Sequence, residues 1–122
     1  LETIHKNKTG SLIKCACIMG GICGNASPKQ QNAIAQFGEA VGLMFQIVDD
    51  LIDYQGVTAH VGKATRKDAN AGKTTYPGTI GVEASKAAVL QLQTQAEDAL
   101  GTLGKQGETL RSFNLWMAHR TR

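Results

Sequence analysis

Phe37, Val41, Met44, Val48 and Leu51 follow one another at steps of four, three, four and three residues. That spacing keeps all five on one stripe of a helix, and a stripe of that length has to be covered by other elements. It predicts a helix from Pro28 to about Tyr54. The same periodicity recurs on both sides. Ile4, Leu12, Ile13, Ala16 and Met19 predict a helix from Glu2 to about Gly24, loosened at its end by Gly20, Gly21 and Gly24. Val89, Leu92, Ala96, Ala99 and Leu103 predict another over Glu83 to Leu103. A final helix is expected from Glu108 to His119, and a short one within Thr74–Gly81, broken by Pro77. No segment alternates as a strand would, so the expected fold class is all-α.

The connections carry their own signals. Asn25-Ala26-Ser27-Pro28 reads as a turn, with Ser27 as N-cap and Pro28 at the first helical position. Gln55 to Lys73 holds Gly56, Gly62 and Gly72, four basic residues and few large apolar ones. It reads as a long loop, and loops of that length are usually functional.

Composition excludes several classes. At 42% hydrophobic and 19% charged residues, the 122-residue chain has the make-up of a globular domain rather than a disordered segment. A net charge of +3 with 5% aromatics lacks the basic and stacking footprints of nucleic-acid binding. No apolar run is long enough for a membrane span, and the first residues do not read as a signal peptide. Cys15, Cys17 and Cys23 have no C-x-x-C spacing and read as buried thiols in a reducing, cytoplasmic-type compartment.

The chemistry concentrates in Gly42-Leu43-Met44-Phe45-Gln46-Ile47-Val48-Asp49-Asp50-Leu51-Ile52-Asp53. Asp49 and Asp53 are four residues apart and share one helix face. Asp is a mediocre helix former, and negative charge near a helix C-terminus opposes its dipole. Mg²⁺ resolves the conflict, because it takes oxygen ligands and is often held by one or two carboxylates plus substrate phosphates. The competing reading is a solvated acidic helix end. Against it, the same face runs back through Gln46 to Gly42 and Gly38, glycines that admit close approach by another group. Lys8, Lys63 and Lys73 bracket the motif, with Asp68 between the last two. Each alone reads as a surface residue; beside an acidic metal site they suggest a diphosphate bridged by Mg²⁺.

Three segments in order carry a resemblance. His5-Lys6-Asn7-Lys8-Thr9-Gly10 resembles the H-x-x-K-T-G segment of trans-isoprenyl diphosphate synthases of the farnesyl and geranylgeranyl type. Gly42 to Tyr54 resembles their second aspartate-rich motif, G-L-x-F-Q-x-x-D-D-I-L-D. Gly62-Lys63 through Asp68, Gly72-Lys73 and Thr75-Tyr76-Pro77 resembles their G-K-x-x-G-K-D…G-K-x-T-Y-P run.

The resemblance implies the C-terminal helices of the isoprenoid synthase bundle, and a Mg²⁺-dependent joining of an allylic diphosphate to isopentenyl diphosphate. On matching positions it implies Asp49, Asp50 and Asp53 as the metal cluster. Lys8, Lys63 and Lys73 would bind the allylic diphosphate, and Thr9, Phe45 and Gln46 would line the pocket near the reacting carbons. Lys8, Thr9, Gln46, Asp49 and Lys63 form the implied catalytic set. Asp68 would hold its loop, while Arg120 and Arg122 would approach isopentenyl diphosphate. A homodimer or the missing N-terminal half is the implied partner, since the first aspartate-rich motif has no counterpart here. Arg66 stands where the family often has Gly. Three other readings remain: a non-catalytic subunit that pairs with a complete synthase, a class I terpene cyclase, and a helical interaction module whose acidic cluster is only surface.

Overall fold

The computed structural model describes the backbone of residues 2–71 and 75–122 and the side chains of residues 8–56 and 75–122. Its elements are α1 (Glu2–Cys23), α2 (Pro28–Ala71), α3 (Tyr76–Ile80), α4 (Val82–Leu100) and α5 (Glu108–His119). Among the described residues there is no strand, so the chain is all-α. No described helix is long and apolar enough to cross a membrane.

The α1–α2 turn forms as its residues dictate. Asn25 takes a positive φ of 58°. Ser27 Oγ accepts from the Gln30 N–H at 3.2 Å, and Gln30 Oε1 accepts from the Ser27 N–H at 2.9 Å. This reciprocal box satisfies two donors at the start of α2.

Three expected boundaries differ. Residues 55–71 continue α2 instead of forming a loop. No proline lies between Pro28 and Pro77, and glycines such as Gly56 and Gly62 weaken a helix by only about 1 kcal/mol each without breaking it. Pro77 does not break α3: it lies in the first turn, just after Tyr76, where a missing N–H costs nothing. Thr75 caps that turn, its Oγ1 accepting from the Gly78 N–H at 3.1 Å.

Helix α4 stops at Leu100, short of Leu103, because Gly101–Gly107 tightens into a 3₁₀ segment with Gly104 at φ 56°. Arg111 fastens this corner. Its guanidinium donates to the Gly104 carbonyl at 2.9 Å and to Glu97 at 3.0 Å.

Helix α2 is the spine of the fold. Its stripe of Phe37, Val41, Met44, Ile47, Val48 and Leu51 buries against Val89, Ala96, Ala99 and Leu100 of α4 and Met117 of α5. On its other side lies α1, held by close backbone approach rather than large side chains. A Cβ at Gly42 would stand 2.8 Å from the Gly10 carbonyl oxygen, and one at Gly38 would stand 3.0 Å from Lys14 Cα. The group that comes close to the α2 glycines is therefore the α1 main chain. Lys14 and Glu39 add an exposed ion pair at 3.3 Å across the same seam.

The outer face of α1 is apolar and uncovered. Leu12, Met19 and Ile22 are 69%, 57% and 66% exposed, with Ala16 beside them. Cys15 and Cys23 share that exposed face, which corrects the expectation of three buried thiols. Only Cys17 turns toward α2, next to Gly38, where partial burial raises its thiol pKa. A helix of small residues packed by its backbone buries one narrow strip, and the other cysteines fall outside it.

Candidate functional site

The site is built on the second half of the described part of α2. Its core stripe fixes the rotation of the helix, and that rotation decides where each carboxylate goes. With Val48 and Leu51 turned inward, Asp49 and Asp53 are both exposed. The Asp49 side chain keeps 54% of its surface in solvent. One helical turn separates them, which leaves room for a single hard cation to meet oxygens from both.

Asp50 is held differently. It is 7% exposed, and its Oδ2 accepts from the Tyr76 N–H at 3.1 Å. Tyr76 begins α3, so this carboxylate ties the segment after residue 74 to the spine. One residue along a helix rotates the side chain by about 100°, enough to carry Asp50 away from its neighbour's face. The three-carboxylate cluster expected from the sequence is thus divided in two. Among the described residues no group of three acidic, His or Cys side chains converges as a cation site.

The residues of α1 reach the middle of α2, one turn before these carboxylates. Gly10 lies against Gly42, and a Cβ there would be 2.9 Å from Gln46 Nε2. Lys8 and Thr9, the first exposed and the second half-buried, precede this contact by less than one helical turn. The close glycine crossing is what brings Gly10 and Gln46 together. An open cleft of about 750 Å³ begins there, lined among others by Gly10, Ser11, Lys14, Leu43 and Gln46.

Phe45 is partly buried on the other flank, under a cation. The Arg120 guanidinium sits 4.8 Å from the centre of the Phe45 ring, within the range of a cation–π contact. Its Nη2 also lies 3.4 Å from the Phe45 carbonyl oxygen and 3.5 Å from Asp49 Oδ1. Arg120 therefore turns inward, with 9% of its side chain exposed, whereas Arg122 is exposed. The two arginines expected to act alike thus differ in exposure. The pairing of Arg120 with Asp49 had no local signal in the sequence, since it spans 71 positions.

Lys63 and Asp68, like Lys73, lie outside the residues whose side chains are described, as do His5 and Arg66.

Residues 1–108 match the family model described as polyprenyl synthetase. The chain is 38% identical over 122 residues to farnesyl diphosphate synthase from Micrococcus luteus, covering 100% of this chain and 42% of that protein. It is 41% identical over 100 residues to geranylgeranyl pyrophosphate synthase 4 from Arabidopsis thaliana, covering 82% of this chain and 27% of the relative. Geranylgeranyl pyrophosphate synthase 3, chloroplastic, from the same plant is 39% identical over 100 residues, at 82% and 28% coverage. The chain thus spans less than half the length of each of these relatives.

Proposed function

The chain belongs to the polyprenyl synthetase family, and from that premise we propose that it forms one side of a prenyl-transfer site that acts on an allylic diphosphate and isopentenyl diphosphate. The observation that carries the proposal is the paired exposure of Asp49 and Asp53 on one face of α2, one turn on from Gln46, which lies against Gly10 of α1.

The donor set fits Mg²⁺. Two hard carboxylate oxygens from one helix face, with the remaining positions left to water and phosphate, match how this cation is usually held. Bound there, Mg²⁺ would supply Lewis-acid stabilisation of the charge that develops on a departing diphosphate. Asp49 and Asp53 would hold it. Asp50, bonded inward, serves by fixing the next segment rather than as a ligand.

The protein's own groups would do the rest. Lys8, Lys63 and Lys73 would place positive charge against the diphosphate oxygens as the allylic carbon–oxygen bond breaks. Thr9 and Gln46 would orient the substrate beside the cleft, and the Phe45 ring would present an apolar, electron-rich surface near the reacting carbons. The isopentenyl double bond then attacks the allylic carbon, and loss of a proton leaves the longer chain.

The uncovered stripe of Leu12, Met19 and Ile22 supports a site that is completed by further helices, supplied by the rest of a synthase or by a partner chain. A reducing compartment, cytoplasmic in the simplest case, suits Cys15 and Cys23 as exposed free thiols.

The test is to put this chain in place of the matching segment of the full-length Micrococcus luteus relative. The chimera is supplied with Mg²⁺, geranyl diphosphate and labelled isopentenyl diphosphate, with EDTA as control. Product that disappears with EDTA and with Asp49→Ala supports the proposal. A folded chimera without product, or with product indifferent to Asp49→Ala, counts against it.

A further inference from the structure

Arg120 is a cation in an unusual position. Its side chain is nine-tenths buried, and it reaches Asp49 and the Phe45 carbonyl only at 3.5 and 3.4 Å. Its Nε is buried with no hydrogen-bond partner among the described residues. A guanidinium that leaves a buried donor unmatched is not held there by a full set of hydrogen bonds. What holds it is charge: the Asp49 carboxylate on one side and the face of Phe45 on the other. Its place at the end of α5 fixes this reach, because backbone φ and ψ of −65° and 149° at Arg120 turn the chain out of the helix.

We propose that Arg120 is the resident counter-ion of Asp49, a positioning residue that neutralises and orients the carboxylate before a metal arrives and competes with the metal for it. The proposal rests on the metal reading given above. A cation bound by Asp49 and Asp53 has to share the Asp49 oxygens with a guanidinium already beside them. Two positive charges at such separations repel each other, even after solvent screening. Arg120 therefore lowers the intrinsic affinity of the two carboxylates for a bare cation. A diphosphate brings negative charge of its own, so its arrival offsets that penalty, and the metal is favoured together with substrate rather than alone. Phe45 anchors the guanidinium through the exchange, since the cation–π contact does not depend on Asp49.

The test uses Mn²⁺ as a spectroscopic stand-in for Mg²⁺, with binding measured by electron paramagnetic resonance without diphosphate. Arg120→Gln and Arg120→Met both remove the charge, and the Met variant keeps an apolar stem against Phe45 in case the Gln variant folds poorly. Each is expected to bind Mn²⁺ about tenfold more tightly than the wild-type chain. Arg120→Lys, which keeps the charge, is expected to stay close to wild type, and Asp49→Asn should abolish the difference between the charged and neutral variants. Added inorganic diphosphate should shrink the advantage of the neutral variants. Equal or weaker Mn²⁺ binding by folded Arg120→Met would overturn the counter-ion role, leaving the metal reading intact. If the wild-type chain and both neutral variants show no Mn²⁺ binding that depends on Asp49, the metal reading itself fails and the counter-ion role falls with it. A residue that only braced the fold would lower Tm on substitution without tightening the metal.

Discussion

The carboxylate of Asp49 and the guanidinium of Arg120 meet at 3.5 Å, joining α2 to the residue that follows α5. Asp49 is half-exposed and Arg120 is buried, so the two partners sit on opposite sides of the protein surface. An ion pair with one solvated partner contributes little to stability. What it does is set a positive charge beside a carboxylate that stays half in solvent.

The glycine crossing between α1 and α2 is the first point to check. Alanine normally gains about 1 kcal/mol over glycine inside a helix. At Gly42 the added carbon meets main-chain atoms of Gly10, which cannot rotate away, so overpacking of about 1–3 kcal/mol opposes and outweighs that gain. Gly42→Ala is expected to lower the unfolding free energy by about 1 kcal/mol, with Gly10 displaced from Gln46. At Gly20 nothing lies within 4 Å, so Gly20→Ala is expected to stabilise by up to about 1 kcal/mol. Urea denaturation of the two variants beside wild type measures both signs.

Asp50 and Asp49 are adjacent yet should behave as opposites. Removing the Asp50 carboxylate leaves the Tyr76 N–H without that acceptor in a partly buried place. Asp50→Ala is expected to cost about 1–3 kcal/mol of stability. Cation binding at Asp49 and Asp53 should change by no more than a few-fold. Thermal melts paired with Mn²⁺ titration separate the two effects, and a Mn²⁺ loss as large as that of Asp49→Ala would restore Asp50 as a ligand.

The thiols should report the orientation of α1. Cys15 and Cys23 are exposed, whereas Cys17 is half-buried with its pKa raised by that burial. The thiolate is the reactive form, so a raised pKa means less thiolate at any pH below it. Iodoacetamide followed by peptide mass mapping should label Cys15 and Cys23 first. Labelling of Cys17 should lag and should accelerate as pH rises through its elevated pKa.

Much of the fold was legible because periodicity reports burial directly. The Phe37-to-Leu51 stripe is the core of α2, and Ser27 caps it as its residue type demands. What could not be read was set by contacts distant in sequence. The spacing of Asp49, Asp50 and Asp53 suggests one cluster, but the rotation imposed by Val48 and Leu51 sends Asp50 inward to Tyr76. Gly38 and Gly42 announced a close neighbour without naming it, and that neighbour is the α1 backbone. Arg120 joins the site only through tertiary packing, and α2 outran its expected end because glycine weakens a helix without stopping it.

On the proposed function, the Asp49–Asp53 face holds a cation which in turn holds a diphosphate. Calorimetric titration of inorganic diphosphate into the chain, with and without Mg²⁺, tests it most directly. Diphosphate binding is expected to require Mg²⁺ and to fall at least about tenfold in folded Asp49→Ala, a loss of about 1.4 kcal/mol. Binding that persists unchanged without Mg²⁺, or that is indifferent to Asp49→Ala, would contradict it and leave the acidic face as ordinary solvated surface.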